Sequence, residues 1–188
     1  MLSQVDLSKA LSKTAYKARM PELQAALGEL QRQARTLNIP VMIVFEGWDA
    51  AGKGTMINKL LMSLDPRGFT VHPINAPTEE ERLHPFLWRF WRCTPAQGRM
   101  AIFDRSWYGR VLVERVDKTI AKPEWQRAYT EINAFERQMA DDGCVIVKFF
   151  LHISKAEQKI RFKKLLKNPS TAWKVTKDDW RHHKQYAQ

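Results

Sequence analysis

VMIVFEGWDAAGKGT, running from Val41 to Thr55, decides the fold of this chain. Its first five residues, Val41 to Phe45, form a continuous apolar run, short enough for a strand buried on both faces of a parallel sheet. A glycine-rich turn follows, and then an apolar-periodic stretch reaching about Leu64. Gly47 and the pair Gly52-Lys53 have P-loop spacing, and they lie between a strand and a helix as that mechanism requires. Such a loop turns its backbone N–H groups into a concavity, and the following helix N-terminus adds its positive end. The candidate phosphate-binding positions are therefore Gly47, Ala50, Ala51, Gly52, Gly54 and Thr55, with Lys53 reaching the outer phosphates. Gly54 stands where most P-loops carry the Ser or Thr that holds a metal, which makes Thr55 a weaker metal candidate.

The rest of the chain repeats the strand–helix alternation. Phe69 to Ile74, Met100 to Phe103 and Cys144 to Leu151 read as three further strands. Residues from about Ser8 to Thr36 read as helix, with Leu23, Leu27 and Leu30 at helical spacing and Pro21 starting a second helix. Pro123 to Asp141 reads as another helix, with proline at its start and Gly143 just past its end. Ser154 and Glu157 read as a capping box that opens a basic helix. Strands alternating with helices predict an α/β fold with a parallel sheet, helices on both faces and right-handed crossovers. The predicted organisation is an N-terminal helical segment (1–40), a P-loop core (41–153) and a basic lid helix with the start of a C-terminal part (154–188).

Two acidic positions sit where phosphoryl-transfer chemistry uses them. A carboxylate among phosphate-binding amides repels phosphate unless it holds a cation. Asp49 therefore reads as a Mg²⁺ ligand or as an organiser of the phosphoryl acceptor, against the plainer reading of a loop Asp capping its own backbone. Apolar residues leading into Asp104 fit a Walker B strand, which sets Asp104 beside the loop to hold Mg²⁺ directly or through water. Arg105 and Arg110 follow, and their planar forks suit phosphate oxygens, although an Asp-Arg pair at a strand end can also be a simple ion pair.

The 188 residues suit one globular domain with a short appendage. At 44% hydrophobic residues and seven Trp, the chain can build a core, so it is not a disordered basic tail. With no long apolar run and no apolar h-region in MLSQVDLSKALSK, neither a membrane span nor a signal peptide is expected, and Cys93 and Cys144 read as small packing residues, which fits a reducing cytoplasm. The formal net charge is +11. Between Val147 and Gln188 eleven Lys or Arg face three acidic residues, so +8 lies in that segment and +3 in the first 146 residues. This surplus points to an anionic partner near that end, or to a solvated helix face.

GWDAAGKG, then DPRG (Asp65–Gly68), APTEEE (Ala76–Glu81), HPFLWRFWR (His84–Arg92), FDRSWYGRVLVERV (Phe103–Val116), KFFLHISKAEQ (Lys148–Gln158) and WKVTKDDWRHHKQY (Trp173–Tyr186) resemble the type-2 polyphosphate kinase family. The resemblance covers the chain from Val5 onward and is closest to the branch that phosphorylates AMP to ADP. It implies a P-loop kinase fold with a basic lid helix. It also implies Mg²⁺-dependent transfer of a phosphoryl group between inorganic polyphosphate and a nucleotide. By the same resemblance Asp49, Lys53, Asp104 and Arg105 match catalytic positions and Arg161 matches a lid arginine. Many family members carry a second lid arginine where this chain has Leu165; Lys163, Lys164 and Lys167 stand nearby as point charges.

The resemblance further implies about 50 to 70 residues beyond Gln188, with a fifth strand, judged from the usual length of a crossover and helix. Without them the fourth strand has an open edge that invites a second chain, so a homo-oligomer is expected. Competing readings are an ATP-dependent nucleoside monophosphate kinase and a catalytically impaired binder of polyphosphate or nucleic acid. Retention of Lys53, Asp104 and Arg105 favours the enzyme. Trp88 and Trp91, flanked by Arg89 and Arg92, could stack bases but at a spacing of three fit a packed helix better. Nucleic acid is accordingly not the expected partner; polyphosphate and AMP or ADP are.

Overall fold

A computed structural model of the chain describes residues 2–188. Four strands, β1 (Val41–Gly47), β2 (Phe69–Pro73), β3 (Met100–Asp104) and β4 (Val145–Leu151), form one sheet in the order β2-β3-β1-β4. All three pairings are parallel, with Phe45 opposite Asp104 on one side and Gly47 opposite Leu151 on the other. The strand that carries the glycine-rich loop is thus central, and the strand that carries Asp104 lies beside it. β4 has β1 as its one neighbour among the described residues, and its Val145, Phe149 and Phe150 side chains are exposed.

The helices are α1 (Lys13–Thr36), α2 (Lys53–Leu61), the short turns α3 (Glu79–Arg82) and α4 (Trp88–Trp91), α5 (Lys122–Asp141), α6 (Lys155–Lys167), the turn α7 (Pro169–Ala172) and α8 (Lys177–Lys184). Alternate residues of β1 point to opposite faces, and each face has its own core. Met42 and Val44 pack with Phe103, Trp107 and the α5 residues Ala128, Ile132 and Phe135. Val41, Ile43 and Phe45 pack with Ile102 and with Ile57 of α2, backed by Leu27 and Ala34 of α1. This is the three-layer arrangement expected from the sequence. Trp107 is fully buried, edge-on to Phe103 and Phe135, and its indole N–H donates to Glu136 at 3.0 Å. A buried indole needs such an acceptor. No described helix is long and apolar enough to cross a membrane.

The structure corrects the start of the first helix, the break expected at Pro21 and the cap of the basic helix. The first helix starts at Lys13 rather than Ser8, with Ser12 accepting the Ala15 N–H at 3.1 Å, and it runs through Pro21 without a second start. Pro21 is exposed, so solvent can satisfy the carbonyl that its ring frees one turn earlier. The cap of α6 is half a capping box. Ser154 accepts the Glu157 N–H at 3.1 Å, but the Glu157 carboxylate turns down the helix and pairs with Arg161 at 2.7 Å. The two cysteines are free thiols, Cys144 buried, and burial pushes its thiol up to about 11. Trp91 packs edge-on to Phe135, while Trp88 lies between His84 and Arg92.

Candidate active site

At the end of β1 the chain can turn only because residue 47 is glycine. Its φ is +130°, and a Cβ there would fall 2.2 Å from the Leu151 carbonyl oxygen. The loop then rises over the C-terminal ends of the strands, the place where open parallel sheets bind ligands. Ala50 adopts φ +58° and Gly52 φ +106°, the second of these capping α2. This left-handed backbone swings the first-turn amides of α2 toward the concavity in front of the loop.

That concavity is a cleft of about 580 Å³. The loop contributes Asp49, Ala50 and Gly52, the first turn of α2 contributes Lys53, Gly54 and Thr55, and the end of β3 contributes Asp104 and Arg105. Eight of the sequence-predicted positions therefore share one wall. The Lys53 ammonium donates to the carbonyls of Gly47 at 2.8 Å and Trp48 at 3.1 Å, and burial lowers its pKa. Arg105 has φ +65°, uncommon for a residue with a side chain, and its N–H donates to the Phe45 carbonyl at 3.0 Å. That conformation turns the guanidinium back over the loop, where Nη2 donates to Asp49 at 3.1 Å.

Other predicted positions lie elsewhere. Gly47 and Ala51 do not line the cleft, and Ala51 is buried. Arg110 is turned away from the cleft: it pairs with Glu114 at 2.7 Å and Glu124 at 3.4 Å and lies over the Phe86 ring. The turn Arg110–Glu114 rolls the side chain onto the helix that follows. Arg161 does not line the cleft either. Its Nη1 donates to the carbonyls of Ala50 at 3.2 Å and Ala51 at 2.9 Å, so it braces the loop from behind. Lys163, Lys164 and Lys167 are exposed on α6 and stand outside the cleft wall, whereas Leu165 is part of it.

The structure adds residues to which the sequence alone assigns no site role. Asn58, Asn75, Lys174 and Asp179 line the cleft. Glu46 sits at the end of β1, accepts the Ser106 hydroxyl at 2.7 Å, and burial raises its pKa against the opposing charges of Lys53 and Arg105. Its place directly before the loop, where an apolar strand turns acidic, was a usable signal. His182 reaches the loop from 133 residues away in sequence and is itself held by Asp117, 65 residues before it; the Trp173–Tyr186 stretch contains His182 but assigns it no role.

Asp49, Asp104 and the Thr55 hydroxyl give the cleft hard oxygen donors on one wall, the donor type that Mg²⁺ prefers. No cluster of three or more His, Cys, Asp or Glu suited to a metal occurs among the described residues. Two carboxylates do fit an ion that completes its shell with water and substrate phosphate.

The chain as a whole resembles known proteins. The profile of Polyphosphate kinase 2 (PPK2) matches residues 10–188. The polyphosphate:AMP phosphotransferase of Pseudomonas aeruginosa is 48% identical over 188 residues, which are 100% of this chain and 38% of that protein. The AMP/ADP-polyphosphate phosphotransferase of Meiothermus ruber is 41% identical over 139 residues, covering 74% of this chain and 52% of that protein. The crystal structure of polyphosphate kinase 2 from Arthrobacter aurescens TC1 superposes with a TM-score of 0.93 at 34% identity, covering 100% of this chain and 69% of that one. The chain spans under two fifths of the length of the Pseudomonas relatives, 38% and 37%. A family match over residues 10–188, together with a relative at 48% identity over the full length of this chain, means that the chain belongs to the polyphosphate kinase 2 family.

Proposed function

We propose that this chain transfers a phosphoryl group between inorganic polyphosphate and a nucleotide, with AMP to ADP as the favoured reaction and ADP to ATP as a second. The observation that carries the proposal is the convergence of Lys53, Asp49, Asp104 and Arg105 on one cleft in front of a P-loop. The named activities of the Pseudomonas and Meiothermus relatives support the same reading.

In the forward direction a phosphate oxygen of AMP attacks the terminal phosphorus of polyphosphate. The bond to the bridging oxygen breaks, and the shortened polyphosphate leaves with that oxygen and its electron pair. No covalent protein intermediate is needed, so the residues act by alignment and charge neutralisation. The loop amides from Ala50 to Gly54 hold phosphate oxygens, and Lys53 exchanges its carbonyl partners for the outer phosphates. Arg105 spans from Asp49 to the transferring group. Asp49 and Asp104 would hold Mg²⁺, which supplies positive charge across the phosphates. Arg161 acts through the loop whose carbonyls it holds. Lys163, Lys164 and Lys167 extend the positive field outside the cleft for a long polyanion, by the counterion logic that governs nucleic-acid binding.

The test is turnover of AMP by the purified chain with polyphosphate or with ATP as the donor. Faster ADP formation from polyphosphate supports the proposal. ATP as the better donor would instead make the chain a nucleoside monophosphate kinase.

A further inference from the structure

Two neighbouring histidines of α8 converge on one loop residue. His182 Nδ1 lies 3.3 Å from Asp49 Oδ2, while its Nε2 lies 3.1 Å from each carboxylate oxygen of Asp117. His183 Nδ1 donates to Gln158 Oε1 at 2.7 Å, and Gln158 Nε2 donates at 3.1 Å to the main-chain carbonyl of the same Asp49. Gln158 and His183 are buried, and Asp117 is also held by Arg181 at 2.9 Å. One helix thus grips both the side chain and the backbone of Asp49, the first directly and the second through a buried amide. The preceding loop residue, Trp48, is stacked on Tyr186 at 4.0 Å just beyond α8.

We propose that His182 is the positioning residue for Asp49, with Asp117 as its anchor and the His183–Gln158 pair fixing the backbone beneath. The Asp49 carboxylate has two oxygens. Arg105 takes Oδ1 at 3.1 Å, so the orientation of Oδ2 toward or away from the cleft depends on what faces it, and that group is His182. A carboxylate held at both oxygens is kept in one rotamer; held at one, it swings about the Arg105 contact. The consequence of the grip for turnover rests on the phosphotransfer reading above, and its consequence for geometry does not.

Substitutions at His182 separate the two ring nitrogens. His182→Asn keeps a side-chain donor near the Nδ1 position, facing Asp49. His182→Gln keeps one near the Nε2 position, facing Asp117. Crystal structures of His182→Ala and His182→Asn give the first readout. The Asp49 carboxylate leaves its observed rotamer in the alanine variant and keeps it in the asparagine variant. An unmoved Asp49 in His182→Ala overturns the proposal. Kinetics with polyphosphate and AMP give the second. His182→Ala lowers kcat about tenfold with little change in the KM for AMP, the pattern of a misplaced catalytic group. His182→Asn recovers at least about a third of the native rate, and His182→Gln does not. In the Asp49→Asn background the further change His182→Ala costs less than about twofold, because the two act as one unit. Independent, multiplicative losses would show that His182 acts elsewhere and would refute the assignment. Native turnover in Asp49→Asn would remove the catalytic reading of Asp49, while the crystal structures still decide whether His182 places it.

Discussion

The Lys53 ammonium is folded back onto its own loop, 2.8 Å from the Gly47 carbonyl oxygen. On the proposed phosphotransfer reading it is a cation held where phosphate charge would arrive, and burial already lowers its pKa. Lys53→Ala is therefore expected to cut phosphotransfer by about 10³-fold, in the range found when one preorganised charge-stabilising group is removed. The melting temperature shifts by no more than a few degrees, since the lost group is a desolvated charge rather than a core contact. Initial rates and thermal melts of the two proteins check both halves.

Asp49→Asn and Asp104→Asn remove one negative charge each from the same cleft wall. Each is expected to lower turnover by one to two orders of magnitude and to raise the Mg²⁺ concentration needed for half-maximal rate, with excess Mg²⁺ restoring only part of the loss. Magnesium titrations of both variants decide it. An unchanged dependence in both would mean that neither carboxylate holds the ion.

Glu46 yields a pH signature. Burial raises its carboxyl pKa above 4.5, so between 4.5 and that raised value the folded protein holds a proton that the unfolded chain has released. Stability is fully present below the unfolded value and falls as pH rises through the folded one. Glu46→Gln cannot ionise and still accepts the Ser106 hydroxyl. Its melting temperature relative to the native chain is expected to climb from pH 4.5 upward and then level off. A difference independent of pH would show that Glu46 titrates as an ordinary carboxylate.

Gly47 and Gly52 both hold positive φ, yet they differ in what surrounds them. A Cβ at residue 47 would overlap the Leu151 carbonyl, whereas at residue 52 it meets nothing within 4 Å. Gly47→Ala is expected to cost about 3 kcal/mol or more, and Gly52→Ala about 1–2 kcal/mol from backbone strain alone. Urea midpoints with unchanged slopes measure both.

Replacing Lys163, Lys164 and Lys167 with Gln is expected to raise the KM for polyphosphate several-fold and leave that for AMP nearly unchanged. Lys163 and Lys167 are four apart on α6 and share a face, so their weak attractions to a polyanion add. The native KM for polyphosphate rises with salt more steeply than that of the triple variant. Equal effects on both substrates would reduce this face to a solvated one.

What the sequence made legible was local. Val41–Phe45 is apolar without interruption because β1 is covered on both faces, and of the glycines after it Gly47 reflects close approach to Leu151 and Gly52 the positive φ that starts α2. Asp104 and Arg105 could be placed because they end a strand of the same type. Side-chain direction was not legible. Arg110 and Arg161 have the right chemistry, but carboxylates four residues away claim part of each guanidinium, Glu114 for Arg110 and Glu157 for Arg161. Gln158 and His182 lie in stretches that carry the family resemblance, yet neither they nor Asp117 announce a role locally, since their contacts form only after the chain has folded back: Gln158 and His182 meet Asp49 across 109 and 133 residues, and Asp117 meets His182 across 65.

The order β2-β3-β1-β4 sets where deuterium enters. The β1 amides are paired within the sheet interior and exchange only when a large part of the sheet opens. β4 has no strand partner on its other side among the described residues, and its last residue, Leu151, is the wall behind Gly47 and accepts the Trp48 N–H at 3.2 Å. Uptake is therefore expected to spread from β4 into Trp48 while β1 and β3 stay protected. The cradle loosens from its back, through the strand that holds it, while β1, which leads into the loop before Lys53, and β3, which ends at Asp104, remain in register throughout.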